Sequence, residues 1–397
     1  MKNIYRKLSS AIETHLERDK SILLLGPRQT GKTTLLDGIP ADLKISLVSK
    51  RIRLQYEKDP SLLIDQVKAL KSGSKKIPLV IVDEVQKVPA LLDEAQEIID
   101  GRYAKMILTG SSARKLRRGK EVNLLPGRLV ALRLDPLLLS ESHIDEIDEA
   151  IYFGGLPAIR TTNDLSLKDT DLNSYVESYL EEEVREEALV RDVGTFARFL
   201  ELAAIESGKI VNFSAIASDV GISSPTIQSH YEILEDCLIA ERIEPITYSA
   251  SRKKLTKSSR FLFFDLGVRR LAAGEGRPLD QKRKGELFEQ FIGLELIHIC
   301  RLYYPQAKIK YWRDPDGPEV DYVIELHGHY LPIEVKWTDR PKMGDIKHLL
   351  TFISEYDNTT NALVICRTEH PQQIHDRVCA ISWKNLEDTL LETLKTK

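Results

Sequence analysis

The stretch GPRQTGKTT, Gly26 to Thr34, places two glycines, a lysine and hydroxyls at a spacing that can hold a nucleoside triphosphate. Gly26 and Gly31 let the backbone N–H groups of a loop turn inward around phosphate oxygens, and a helix that follows adds its positive end. Lys32 is expected to reach the β- and γ-phosphates and Thr33 to offer its hydroxyl to Mg2+. Pro27, Arg28, Gln29, Thr30 and Thr34 complete the candidate ATP contacts. Asp83 and Glu84 are the matching acidic pair. Asp83 is expected to hold Mg2+ through its water shell, and Glu84 to polarise the attacking water.

Such side chains need a rigid frame, and the sequence provides one. The run SILLL (Ser21 to Leu25) suits a buried strand directly before the loop, and Thr34, Leu35 and Leu36 start a helix after it. LVIV (Leu79 to Val82) suits a parallel strand buried on both faces, with the acidic pair at its carboxyl end, where open α/β sheets bind ligands. A third strand, Met106 to Leu108, leads to Thr109, Gly110, Ser111 and Ser112. Ser111 is a candidate for sensing the γ-phosphate or orienting water, and an ordinary polar turn is the alternative.

A second chemistry lies near the C-terminus. A helix opening at Gly285 to Glu289 runs to Ile299, a strand covers Ile309 to Trp312, and a hairpin turns at His327 to His329. Its arms carry Asp321 and, two residues apart on one face, Glu334 and Lys336. Two carboxylates and an ammonium at strand ends can bind one or two Mg2+ or Mn2+ ions, activate a metal-bound water and balance charge on a phosphorane-like transition state. Glu289, or in its place Glu286, supplies a further carboxylate. His327 and His329 read as exposed turn residues rather than metal ligands.

The 397 residues are enough for two to four domains, and 42% hydrophobic with 29% charged residues fits a globular chain. Four cysteines without a CxxC pair read as reduced thiols. No apolar stretch reaches the length of a membrane span and Met1 opens no signal peptide, so a cytoplasmic protein without a membrane partner is expected. The net charge of −3 excludes a uniformly basic nucleic-acid binder while leaving local patches. Arg114 to Lys120 is basic, and Glu177 to Glu187 is acidic and reads as a solvated face.

Between the two sites, Thr195 to Ser207, Asn212 to Val220 and Ser224 to Asp236 read as helices, with Ser224 as an N-cap and Pro225 at the first helical position. Strands at Cys237 to Ile246 and Arg260 to Phe264 follow. The order resembles a winged helix-turn-helix. Its third helix offers no Arg or Lys among Ser223, Thr226, Gln228 and Ser229, so base readout there is weak. The basic segment Arg252, Lys253, Lys254, Lys257 and Arg260 lies where a wing would rest on phosphates. DNA, duplex or branched, is the expected partner, and a protein-packing role for the winged helix is the alternative.

GPRQTGKT, IVDEVQ (Ile81 to Gln86), LTGSS (Leu108 to Ser112), LPGRL (Leu125 to Leu129) and FGGLP (Phe153 to Pro157) resemble the AAA family of P-loop ATPases. More closely, the chain resembles prokaryotic members with a C-terminal domain of unknown function. The resemblance implies that Arg128 is an arginine finger, which requires a homo-oligomer, and that FGGLP opens a helical lid. An Arg paired within its own subunit is the alternative for Arg128. Thr and Ser stand where the wider family has Asn after the third strand. The C-terminal pattern resembles the PD-(D/E)XK, restriction-endonuclease-like superfamily. That resemblance implies that Asp321 and Glu334 are metal ligands and that Lys336 orients the nucleophilic water. The expected fold is α/β and multidomain: an ATPase core over residues 1–140, a helical lid over 141–193, a winged helix-turn-helix over 194–264 and an α/β nuclease-like domain over 265–397. The function expected is a Mg2+-dependent ATPase coupled to DNA binding and processing, with a metal-dependent nuclease domain. The alternative is a regulatory ATPase switch whose nuclease-like domain only recognises DNA or a protein.

Overall fold

Five short runs set the first sheet, three of them carrying continuous apolar stretches. In the computed structural model, which describes residues 4–73, 76–112, 128–142, 144–180, 193–249, 255–314 and 317–395, they form β1 (Ser21–Leu25), β2 (Leu43–Ser46), β3 (Leu79–Asp83), β4 (Lys105–Gly110) and β5 (Leu129–Arg133). All pair in parallel in the order β2-β3-β4-β1-β5. Helices must therefore cross between strands and cover both faces, which explains near-continuous apolar strands in place of alternating ones. Leu23, Val80, Val82, Met106 and Leu108 pack on one side with Ile64, Val67, Leu91 and Ile98, while Ile22, Leu24, Ile81 and Ile107 meet Ile12 and Leu36 on the other. β4 lies between the strand that precedes the Gly-rich loop and the strand that ends in Asp83, so residues leaving β4 sit between the two motifs. The basic run Arg114 to Lys120, and most of the acidic run after residue 180, fall outside the described residues.

The segment after this sheet is helical: Ile147–Phe153, Pro157–Thr161, Leu165–Ser174 and a π turn at Tyr175–Leu180. Gly154, at φ +67°, breaks the first from the second, and the Gly155 N–H beside it donates to buried Asp265 at 2.6 Å. The helices Val193–Ile205, Phe213–Val220 and Ser224–Asp236 follow. Asn212 caps the second through Ser214 and Ala215 N–H groups. The third is capped by Ser223, one residue earlier than the sequence suggested, because the Ser223 side chain accepts from Thr226 N–H and Ser224 is already helical.

Eight strands make the second sheet: β6 (Ala240–Pro245), β7 (Arg260–Phe263), β8 (Lys308–Arg313), β9 (Glu319–Leu326), β10 (His329–Val335), β11 (Ala362–Cys366), β12 (Gln372–His375) and β13 (Val378–Ser382). The order is β12-β13-β11-β10-β9-β8-β6-β7. The antiparallel hairpin β6–β7, expected as the strands of a separate module, continues into the C-terminal sheet. β6 pairs in parallel with β8 through Glu244 with Lys310 and Pro245 with Tyr311. A 23-residue helix, Gln281–Tyr303, packs with Leu386–Lys395 on one face of this sheet. Lys347–Glu355 covers the other, through Phe352 and Leu349 against Trp312 and Val364.

This arrangement corrects one expectation about the basic segment. Arg260 is not a free wing cation: it is 6% exposed on β7, its guanidinium lies 4.5 Å from the Tyr311 ring centre, and Nη1 donates to Glu289 Oε1 at 3.0 Å. A buried, paired guanidinium has no face left for a phosphate backbone. Lys257 is exposed, and Arg252, Lys253 and Lys254 lie outside the described residues.

Candidate nucleotide site and C-terminal carboxylate site

The Gly-rich loop leaves the carboxyl end of β1 and enters the helix Lys32–Asp37. Its shape depends on two positions. A Cβ on Gly26 would lie 2.4 Å from the Leu134 carbonyl oxygen, so only glycine allows β5 to pass this close, and Gly31 sits at φ +93°, outside the comfortable range of other residues. Gln29 also takes a positive φ of 62°. Inside the loop, Thr30 Oγ1 donates to the Pro27 carbonyl at 2.9 Å, and Lys32 Nζ to the Gly26 and Pro27 carbonyls at 2.7 and 3.0 Å. The Lys32 ammonium is thus held over the loop's centre, and the Thr33 and Thr34 side chains face outward. The cradle fits a chain of phosphates.

At the end of β3, Thr33 Oγ1 lies 3.4 Å from Asp83 Oδ2. The other Asp83 oxygen accepts from Thr109 Oγ1 at 2.6 Å, and the same Thr109 oxygen accepts the Glu84 N–H at 3.0 Å. One hydroxyl on β4 therefore fixes both acids. Glu84 is in the left-handed region at φ 61°, and its carboxylate accepts from Gln86 Nε2 at 2.5 Å, which also donates to Ser111 Oγ at 3.2 Å. A hydroxyl and the carboxylate oxygen it reaches, at a sheet edge facing the loop, are a donor set suited to Mg2+ and its waters. Ser111 stands one step back, positioning Gln86. The sequence named Ser111 but gave Thr109 only as one of several hydroxyls and Gln86 no role; both emerge from the parallel register that sets Thr109 opposite Leu24, one step beyond the Val82 and Leu108 pair.

Arg128 directly precedes β5, at the amino end of the parallel sheet, opposite the nucleotide edge. In its own subunit it pairs with Asp100 at 2.5 Å.

Arg6, which belongs to no motif, touches the loop from outside. Its Nη1 donates to the Thr30 carbonyl at 2.6 Å, Nη2 to the Asp135 carbonyl at 2.7 Å, and Nε to Glu141 at 3.1 Å. The Asp135 carboxylate pairs with Arg133 at 2.8 Å and with Arg301, near the end of the long helix, at 2.6 Å. Arg133 and Arg301 also share Glu241 on β6. Burial alone would raise the Asp135 carboxyl, but Arg301, His298 and Arg133 hold it well below the usual carboxylate range. Burial pushes the His298 imidazole down to about 4 and the Glu295 carboxyl up to about 8. The P-loop, β5, β6 and the long helix are thus joined by one set of buried charges.

Toward the start of the same helix lies the C-terminal cluster. Tyr322 pairs with Ile333, so the antiparallel register brings Asp321 opposite Glu334. Asp321 Oδ2 accepts the Val335 N–H at 2.8 Å, and Lys336 Nζ donates to Glu334 Oε1 at 2.7 Å. Glu289 reaches in from the helix with Arg260 beside it. Burial raises all three carboxyls: Glu289 to about 8 with help from Asp321 and against Arg260, Asp321 against Arg260, and Glu334 well above its ordinary value. The Glu286 carboxylate instead pairs with Arg283 at 2.6 Å. Among the described residues no group of three or more His, Cys, Asp or Glu is arranged to hold a metal ion, and no helix is long and apolar enough to cross a membrane.

Three family models match in succession: an AAA domain over residues 18–143, a domain of unknown function (DUF8612) over 144–278 and another (DUF4143) over 284–386. An uncharacterized protein of Mycobacterium tuberculosis is 24% identical over 341 residues, 85% of this chain and 75% of its own. Others from Haemophilus influenzae and Methanocaldococcus jannaschii are each 24% identical, covering 84% and 75% of this chain and 86% and 72% of theirs. A solved structure of C. elegans PCH-2 aligns at a TM-score of 0.23 and 16% identity over 58% of this chain and 64% of its own, too low to carry an argument. The match over 18–143 and the geometry of the loop agree: residues 18–143 form an AAA domain, P-loop ATPase-like, and the two stretches after it match domains of unknown function.

Proposed function

We propose that the chain is a Mg2+-dependent ATP hydrolase that works as a switch, its nucleotide state passed to a C-terminal domain that engages DNA. The observation that carries this reading is Arg6, whose one guanidinium holds both the Thr30 carbonyl of the phosphate loop and Asp135, the residue that fixes Arg301 on the long helix. A loop that tightens around phosphates shifts Thr30, and the buried charges beyond it cannot relax independently. In the ATP site, N–H groups from Arg28 to Thr34 and the Lys32 ammonium take the phosphate oxygens, and Glu84, steadied by Gln86 and Ser111, orients the attacking water. Thr33 and Asp83 would hold Mg2+, which neutralises charge on the phosphates when bound. Arg128 acts as a finger only in a homo-oligomer, where it would leave Asp100 for a neighbour's γ-phosphate.

A second reading, metal-dependent cleavage of DNA by Asp321, Glu334 and Lys336 with Glu289, is favoured by the register that sets Asp321 opposite Glu334, with Lys336 on Glu334. Phosphate release in Mg2+ by the full chain, Lys32→Ala and Glu84→Gln tests the first part. Both variants are expected to lose turnover, Lys32→Ala with loss of nucleotide binding and Glu84→Gln without it. Unchanged hydrolysis in Lys32→Ala would remove the site assignment. Labelled duplex and branched DNA incubated with Mg2+ or Mn2+ beside Lys336→Ala separates the two readings, since cleavage lost in that variant selects the nuclease.

A further inference from the structure

The C-terminal cluster holds more positive charge than its acidic residues alone suggest. Lys336 occupies Glu334 Oε1, a backbone N–H occupies Asp321 Oδ2, and Arg260 occupies Glu289 Oε1 at 3.0 Å. Arg260 comes from outside the C-terminal segment. It sits on β7, which enters this sheet only because β6 pairs with β8, and its guanidinium is buried against the Tyr311 ring. A divalent ion binds where carboxylate oxygens converge with their charge uncompensated. Here three carboxylates face two fixed cations.

We propose that Arg260 is the resident cation of the Glu289, Asp321 and Glu334 cluster, so that the cluster binds no divalent metal in the folded chain and instead locks the β6–β7 hairpin to the C-terminal sheet. A metal site would then form only if β7 withdrew its arginine. The proposal rests on reading these acids as one site and does not depend on the ATP reading.

The test is Mn2+ binding to the full-length chain without nucleotide, read by loss of the free-ion electron paramagnetic resonance signal. Lys32→Ala serves as a common background, in which any ion held by Thr33 and Asp83 is the same in every titration. Up to about 1 mM Mn2+, a ceiling well above ordinary sensor affinities, the Lys32→Ala chain and its Glu334→Gln derivative are expected to titrate alike. Adding Arg260→Gln is expected to create one site, at least about tenfold tighter than any in the parent, that disappears when Glu334→Gln is added. A Glu334-dependent Mn2+ site with Arg260 in place would overturn the proposal, as would a folded Arg260→Gln chain that gains no site. The first comparison needs no Arg260 variant, so it decides the matter even if Arg260→Gln does not fold. Loss of ATP binding in otherwise wild-type protein would count against the ATP reading alone.

Discussion

Glu295→Gln should make the protein more stable, and more so as the pH rises. Glu295 lies on the long helix with 6% exposure, accepts the Leu139 N–H at 3.2 Å, and is pushed by burial up to about 8 from an ordinary 4.5. Between those values the folded chain keeps a proton that the unfolded chain releases, so the protonated acid's contribution is intact below pH 4.5 and is lost as the pH climbs through 8. The linkage relation puts the loss at about 4 kcal/mol at pH 8 and under about 1 kcal/mol at pH 5. Glutamine keeps an oxygen for Leu139 and cannot ionise. Urea unfolding followed by tryptophan fluorescence suits the test, since Trp312, Trp337 and Trp383 all lie in the unit that contains Glu295. Equal stabilities of the two proteins at pH 8, or a variant less stable there, would refute the reasoning.

The same cluster predicts the acid limb. His298 stays neutral in the fold down to about 4, whereas the unfolded side chain takes a proton below 6.5, so stability present above 6.5 falls by about 3 kcal/mol on reaching pH 4. His298→Gln should flatten that limb in the same urea series. Arg301→Met leaves Asp135 and Glu241 with Arg133 alone, and with Arg301 27% exposed the expected cost is about 2 kcal/mol, under the ~3–5 kcal/mol of a fully buried pair. A change below about 0.5 kcal/mol would mean the cluster does not tie the domains together. If duplex DNA binds through the basic segment, the removal of buried Arg260 leaves four cations, and the log–log salt slope should be about −3.6 rather than the −4.5 of five. A slope near zero would take the segment out of DNA binding.

How much of this could be read beforehand depends on range in the chain. Gly26, Gly31, Lys32 and Asp83 declare themselves because loop, strand and acid sit in unbroken local patterns, and β1, β3 and β4 appear where their apolar runs do. Asp321 opposite Glu334 was legible too, since a short hairpin fixes its own register. Arg260 was misjudged for the opposite reason. It stands where a basic and polar stretch gives way to the apolar run Phe261 to Phe264, and only the parallel pairing of β6 with β8, whose partners Glu244 and Lys310 are far apart in sequence, buries it beside Glu289. Arg6 carried no local signal, because its partners Thr30, Asp135 and Glu141 meet only after the sheet has formed. The Ser223 cap differs from the expected Ser224 by one residue because both serines precede Pro225 and only geometry chooses between them.

Through Arg6 and Asp135, nucleotide in the P-loop should be felt in the C-terminal unit. Amide hydrogen exchange along Gln281–Tyr303, measured with and without Mg2+ and ATP, tests it most directly. Exchange in the turn around Arg301 is expected to slow with nucleotide, and not to change in Lys32→Ala. An unchanged exchange pattern along this helix in a chain that hydrolyses ATP would contradict it.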